Sequence, residues 1–393
     1  LGSGTDTLTL GDFANTVTVS NVETLTGGTS SDVVVLGTII NGSLDLAAGT
    51  DSLTLGNFAN TVTSSNIETI TGGTSSDVVV LATALSGVVN LGSGTDTLTL
   101  GNFANTVTIS NVETITGGTS DDTVVLGAAV TSGAINLGAG TDAITLGNFA
   151  NTVTLTNIEA ITGGTSNDVV TLGSAVTSGT VSLGSGTDTL TLGNFANTLT
   201  ISNVETITGG TSDDVVTLGA ALTGTVNLGS GTDTLTLGDF ANTVTVSNVE
   251  TLTGGTSSDV VVLASAVTSG SIDLAAGTDR LTLGNFANTL TISNVETITG
   301  GISADIVTLG TAFNGTVDLG SASDTLTLGD FANTVTVLNI QTVTGGTSDD
   351  VIVVGGTSAA VVVDLGAGTD TLTFGSNGST VTASNIETIT GGT

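Results

Sequence analysis

Sixteen aspartates fall into eight pairs of nearly fixed spacing: Asp32 with Asp51, Asp77 with Asp96, Asp122 with Asp142, Asp168 with Asp188, Asp214 with Asp233, Asp259 with Asp279, Asp305 with Asp324, and Asp350 with Asp370, each pair 19 or 20 residues apart. Each aspartate closes a short turn, of the kind Gly27-Gly28-Thr29-Ser30-Ser31-Asp32 or Gly2-Ser3-Gly4-Thr5-Asp6. Glycine-rich turns hold backbone carbonyls close to the carboxylate, and that is a donor set for a hard cation: calcium takes six to eight oxygens at about 2.3–2.6 Å. One turn alone supplies too few, so a site requires two turns brought side by side. The plainer alternative is that these aspartates only form turns by bonding their own backbone. Against it stands the cost of stacking like charges a few ångströms apart with nothing to neutralise them.

What brings the turns together is a tandem array. The Gly-x-Gly-Thr-Asp turn and the Thr-Leu-Thr-Leu run after it recur with their aspartate at Asp6, Asp51, Asp96, Asp142, Asp188, Asp233, Asp279, Asp324 and Asp370, a period of 45 or 46 residues. Within one period an acid or amide recurs about every nine residues, at Asp6, Asn15, Glu23, Asp32 and Asn41, each ahead of a short alternating run. Alternation at a period of two is the strand signature. It places Leu8, Leu10, Val17, Val19, Leu25, Val34, Leu36, Leu44 and Leu46 inward and Thr7, Thr9, Thr16, Thr18, Thr24 and Thr26 outward. Five turn-plus-strand units per period, no 3.6-residue stripe and no proline in 393 residues predict an all-β fold, a parallel β-solenoid (β-roll or β-helix) running as one continuous array over 1–393. If two units make one coil, the aspartates of each pair lie on one edge, one coil apart; the coil size itself, 18 residues or 22 to 23, is left open. The longer periods carry one extra residue at Ala129-Val130-Thr131-Ser132-Gly133, where the shorter ones read Ala221-Leu222-Thr223-Gly224, so that corner must bulge outward.

Composition narrows the partners. Thirty-five carboxylates against the single cation Arg280 give a formal charge of −34, so nucleic acid and anionic membrane surfaces are repelled and multivalent cations are attracted. Cys, His, Met, Trp, Tyr and Pro are absent, which removes any disulfide framework and any zinc, copper or haem ligand set. No apolar run is long enough to span a membrane. The scarcity of large and sulfur-containing residues suits a protein made in bulk and exported, and predicts an extracellular, cell-surface location. The array opens and closes inside a repeat, from which the chain is expected to be an excerpt of something longer.

The nine-residue units resemble the hemolysin-type calcium-binding repeats of secreted bacterial proteins, the RTX family, whose unit is Gly-Gly-x-Gly-x-Asp-x-apolar-x. Leu1-Gly2-Ser3-Gly4-Thr5-Asp6-Thr7-Leu8-Thr9 departs from it only at its leucine, and Gly27-Gly28-Thr29-Ser30-Ser31-Asp32-Val33-Val34-Val35 only at the serine in fourth place. The units around Asn15, Glu23 and Asn41 align only by their acid-or-amide and apolar positions. The resemblance implies a parallel β-roll of two units per turn, with Ca2+ held in the turns. At Gly301-Ile302-Ser303-Ala304-Asp305 and Gly320-Ser321-Ala322-Ser323-Asp324 both turns depart from the pattern, so that pair is the weakest candidate site.

Four further features need a place. Glu23, Glu68, Glu113, Glu159, Glu205, Glu250, Glu296 and Glu387 follow Asn-Val or Asn-Ile in each period, with Gln341 once in their stead, and read as corner acids beside a turn-forming Asn. Phe13-Ala14-Asn15 recurs up to Phe331-Ala332-Asn333 and is broken at Ser376-Asn377-Gly378; its ring reads as part of a stacked core or corner ladder. Val33 and Val35, repeated at Val78 and Val80 and at Val260 and Val262, give an apolar outer stripe that would suit lateral contact with another copy. Arg280 takes a slot that alternation turns to solvent. No His, Cys, Lys or Tyr is available as base or nucleophile, which argues against an enzyme. The sequence therefore predicts a secreted, calcium-stabilised structural repeat protein of a filament, surface layer or adhesin stalk, its partners calcium ions and copies of itself; the alternative is an ice- or carbohydrate-binding adhesin module.

Overall fold

The computed structural model describes residues 1–356, 360–375 and 380–391. The expected break at Ser376-Asn377-Gly378 lies outside the described residues. The chain divides into two compact units, Leu1–Gly193 and Asn194–Thr393. Both are built the same way.

In the first unit the strands begin as β1 (Thr7–Thr9), β2 (Thr16–Val19), β3 (Thr24–Thr26), β4 (Val33–Leu36), β5 (Asn41–Asp45), β6 (Ser52–Thr54), β7 (Thr61–Ser65), β8 (Thr69–Gly73), β9 (Val78–Leu81), β10 (Ser86–Gly92), β11 (Thr97–Thr99) and β12 (Thr106–Ser110). Odd strands pair in parallel with odd, β1 to β3 to β5 and onward to β11. Even strands pair with even, β2 to β4 and onward to β12. Two strands therefore complete one coil, and two parallel sheets enclose the core. The second unit repeats the scheme, with Val215 registered against Thr198 and Thr234 in one sheet and Val260 against Thr243 and Arg280 in the other. No helix occurs among the described residues.

Hydrogen-bonded corner partners one coil apart are 17, 19, 20 or 21 residues apart, which selects the smaller of the two expected coils. Five strands per period and two per coil make each period two and a half coils. Equivalent strands consequently alternate between the two sheets: the Asp-Val strand is even as β4 and odd as β9.

The core is a set of aliphatic columns. Val79, Leu98 and Ile115 lie in register on adjacent coils, as do Leu53, Ile70 and Val89, all 0–1% exposed. Burying one such side chain contributes about 1.5–3 kcal/mol, and the column form arises because parallel in-register strands superpose like residues every coil. Leu8 and Val17, in the first coil, are only half-buried.

Three expectations need correction. The outward valines do not form a stripe, because the half-coil in the period sends Val33 to one sheet and Val78 to the other. Each is then flanked by hydroxyl residues, Val33 by Thr16 and Ser52 and Val78 by Thr61 and Thr97. Likewise Phe103, Phe149 and Phe240 are 36–37% exposed at corners, not stacked; successive phenylalanines on one edge are five coils apart, about 24 Å at the sheet spacing. Finally, the fifth corner of the period is apolar: Asn41 is exposed at the start of β5, and the inward residue is Ile40, 2% exposed.

Turn chemistry follows the sequence closely. Asn66 and Asn111 take left-handed φ of +52° and +54°, a conformation asparagine tolerates better than other side chains, and the Asn66 amide is fixed by donating to Asp45 Oδ1 at 2.8 Å. Gly73 serves differently, since a Cβ there would collide with the Gly56 carbonyl of the adjoining coil. The extra residue of the longer periods sits at exposed Thr131 and Ser132, past the buried Val130, as the bulge argument requires. Arg280 is exposed.

Leu98→Ala is expected to cost about 2–5 kcal/mol by opening a cavity in its column, whereas Val78→Thr should stay within about 0.5 kcal/mol of the parent. Hydrogen exchange of the flanking coils checks both. Equal effects at the two positions would contradict the inward and outward assignment.

Candidate metal centre

At the corner preceding each strand one side chain points inward, and these form ladders up both edges. In the first unit the residues ahead of the odd strands β7 to β13 (Thr114–Gly118 being β13) are Asn60, Asp77, Asp96 and Glu113. The N–H of Asn60 donates to Asp77 Oδ1 at 2.9 Å, that of Asp77 to Asp96 Oδ1 at 2.6 Å, and that of Asp96 to Glu113 Oε2 at 2.8 Å. On the other edge Asn15, Asp32, Asp51 and Glu68 repeat the pattern at 2.9, 2.6 and 2.7 Å. Stacks after the first begin against an apolar corner, as where Ile40 N–H donates to Asn60 Oδ1 at 2.9 Å and Leu85 N–H to Asn105 Oδ1 at 2.8 Å.

The ladder has a structural cause. Strand hydrogen bonds lapse where the chain turns between sheets, and the corner N–H then needs an acceptor that a short acid or amide on the next coil supplies. All eight expected aspartate pairs are brought together in this way. The first aspartate donates its N–H to the second at 2.6 Å in Asp32–Asp51, Asp77–Asp96 and Asp259–Asp279, at 2.7 Å in Asp122–Asp142, Asp168–Asp188, Asp214–Asp233 and Asp350–Asp370, and at 2.8 Å in Asp305–Asp324. All sixteen are 0–1% exposed.

The two members of a pair differ. Asp77 Oδ1 accepts both the N–H and the side-chain amide of Asn60, at 2.9 and 3.0 Å. Asp96 Oδ1 accepts the Asp77 N–H at 2.6 Å. In both residues Oδ2 is buried without a hydrogen-bond partner, and the same holds for Asp32, Asp51, Asp122, Asp142, Asp259 and Asp279. A buried unsatisfied polar group costs about 1–3 kcal/mol, and more when charged. Burial, opposed by the Asp77 N–H and reinforced by the carboxylates of Asp77 and Glu113, pushes Asp96 from the ordinary 3.8 to about 6. Asp142, Asp233 and Asp279 are likewise pushed up to about 6, chiefly by burial. Asp77 is also raised by burial, with the Asn60 backbone and side-chain donors pulling it back.

Two glycine-bearing turns lie against each other at every pair. The Thr95 N–H donates to Ser76 Oγ at 2.9 Å, the Ser93 N–H to the Gly73 carbonyl at 2.7 Å, and Gly94, at φ +151°, brings its backbone against Ser75. Oriented carboxylate oxygens lacking partners, next to close-packed turn backbone, fit a hard, oxygen-seeking cation. Among the described residues no three His, Cys, Asp or Glu side chains converge on one point, so such an ion would take at most two carboxylates and complete its shell from turn carbonyls and water.

Two stack members were missed in sequence. Asn60 lies 17 residues before Asp77 and Glu113 lies 17 after Asp96, and that constant offset was the available signal. It was hidden because the coil length alternates between 17 and 19 or more.

No protein-family model and no curated protein matches the chain. Among solved structures, the chain is similar to a hyperactive, Ca2+-dependent, β-helical antifreeze protein from an Antarctic bacterium, at 19% identity over 84% of this chain and 86% of that one, with a TM-score of 0.17. Superposition at that level says nothing of shared ligands. No helix among the described residues is long and apolar enough to cross a membrane.

A carboxyl whose pKa rises on folding keeps its proton in the folded chain at pH values where the unfolded chain has lost it, so stability falls as pH rises from the ordinary 3.8 through about 6. In calcium-free buffer the melting temperature is therefore expected to increase on going from about pH 7 to about pH 5. With calcium in excess the trend should reverse, because ion and proton compete for the same oxygens. A calcium-free melting temperature that falls on acidification over that range would contradict the ladder.

Proposed function

We propose that this is a secreted structural repeat protein whose coils are made rigid by calcium held at the aspartate pairs of both edges. The observation that carries this reading is the buried, unpartnered second oxygen repeated along the aspartate stacks. A protein with formal charge −34 and one cation has no internal means of neutralising buried carboxylates, and an extracellular medium supplies calcium at concentrations that suit weak, few-carboxylate sites. In this role the metal is structural and no residue performs catalysis. Glu68 and its counterparts end the stacks as acceptors for a backbone N–H, which gives them a positional role.

The setting is an extracellular filament, surface layer or adhesin stalk. A stack of near-identical coils suits load bearing or spacing. Contacts with further copies of the chain would use two equivalent faces, since the half-coil in each period repeats every surface feature on both sheets. Calcium removal tests the reading. Exhaustive chelation at low ionic strength is expected to expand or unfold the chain, with loss of its β-type circular dichroism, and calcium but not sodium at equal ionic strength should restore it. Unchanged spectra and melting temperature, with no ion found by elemental analysis, would exclude the calcium role.

The outer threonines favour one second reading, a module that binds an ordered hydroxyl surface such as ice or carbohydrate. Thr24, Ser43, Thr63, Val80 and Thr99 share one column on adjacent coils. That column is broken by valine, and Asp45 stands beside it, so no long uniform rank is offered to a flat lattice. Thermal hysteresis at millimolar protein is expected to be absent; a clear gap with faceted crystals would move the function to ice binding.

A further inference from the structure

The stacks are not equivalent. Asn60–Asp77–Asp96–Glu113 contains three carboxylates, whereas Asn288–Asp305–Asp324–Gln341 contains two, because the residue that accepts the last N–H is an amide. The geometry is nevertheless kept. The Asn288 N–H reaches Asp305 Oδ1 at 3.0 Å, that of Asp305 reaches Asp324 Oδ1 at 2.8 Å, and that of Asp324 reaches Gln341 Oε1 at 2.6 Å. Asp305 and Asp324 are 0% exposed with Oδ2 unpartnered, as in the other stacks. Charge has been removed here and position has not.

The turns around this pair are altered in the same direction. Elsewhere a side-chain oxygen fixes the second turn: Ser31 accepts the Thr50 N–H, Ser76 that of Thr95 and Asp121 that of Thr141, at 2.8–2.9 Å. Ala304 holds the corresponding position and offers no side-chain oxygen. The glycine that packs this turn at φ near +150° at Gly49, Gly94, Gly140 and Gly231 is here Ala322, at φ +133°, where an L side chain is strained. Burial and Asp305 alone raise the pKa of Asp324, while Asp96 also feels Glu113.

Resting on the calcium reading above, we propose that the Asp305–Asp324 pair stays free of calcium at concentrations that fill the other pairs, and that the glutamate ending each complete stack, here replaced by Gln341, sets the affinity. A carboxylate one rung from a divalent ion adds a direct attraction that an amide lacks, equivalent to an affinity difference on the order of tenfold to a hundredfold at the effective dielectric of a partly buried site. The glutamate acts as a positioning and charge-setting residue, consistent with the absence of three carboxylates on one point. The array then carries one metal-free seam among metal-filled corners.

Equilibrium dialysis of the full chain against calcium, at the concentration that just fills the high-affinity sites, tests this directly. Asp305→Asn with Asp324→Asn should leave the number of bound ions unchanged, Asp77→Asn with Asp96→Asn should remove one, and Gln341→Glu should add one. Circular dichroism of each calcium-loaded variant confirms that it is folded, and the paired asparagine variants decide the matter even if Gln341→Glu does not fold. Loss of one ion in the Asp305 and Asp324 double variant, together with no gain in Gln341→Glu, would overturn the inference while leaving the calcium role intact. A parent chain that binds no calcium at all would instead overturn the calcium role on which it rests.

Discussion

Every coil of this protein must turn twice between sheets, and at each turn a backbone N–H loses its strand partner. The structure depends on how that donor is met. An inward carboxylate or amide from the next coil accepts it at 2.6–3.0 Å, which ties successive coils together at the edges where sheet bonding stops. A carboxylate has two oxygens, however, and only one is used. The other is sealed among turns and aliphatic columns, so the device that holds the corners also concentrates negative charge in a place of low polarity. Calcium bound at the pairs, as proposed, would remove that conflict with oxygen chemistry alone, and the proposal thus grows out of the fold's own hydrogen bonding.

The second constraint is arithmetic. Five strands per period wound two to a coil leave half a coil over, so each repeat faces opposite to its predecessor. The edges thereby become copies of one another, each running Asn, Asp, Asp, Glu and then an apolar corner such as Leu85 or Val130. The apolar corner breaks the run of charge every fifth coil. Charge spreads evenly over both edges as a result, and surface features such as Val33 and Val78 or Phe58 and Phe103 are dispersed before they can form a stripe.

Strand content, the inward and outward faces and the pairing of aspartates were legible in the sequence, because alternation and a 45-residue period leave little choice of register. Leu98 and Thr97 could be assigned by period alone. The dispersal of Val33 and Val78 was not legible, since it follows from the ratio of strands per period to strands per coil, a number the sequence does not state. Asn60 and Glu113 escaped as stack members for a related reason: they sit in units whose turns have lost the Gly-Gly pattern, and only the three-dimensional coil length shows that an offset of 17 returns the chain to the same corner. Ile40 escaped because Asn41 beside it looked like the next polar corner, whereas burial selected the isoleucine.

At the centre stands the proposal that a cation is held between the two carboxylates of aspartate pairs such as Asp77–Asp96. Crystals grown with terbium in place of calcium, measured at the terbium absorption edge, address it most directly. The account predicts anomalous peaks within about 2.6 Å of Oδ2 of Asp77 and Asp96, recurring beside Asp32 and Asp51 on the other edge. Density showing those oxygens bonded only to water or to one another, with no anomalous peak at any pair, would contradict it.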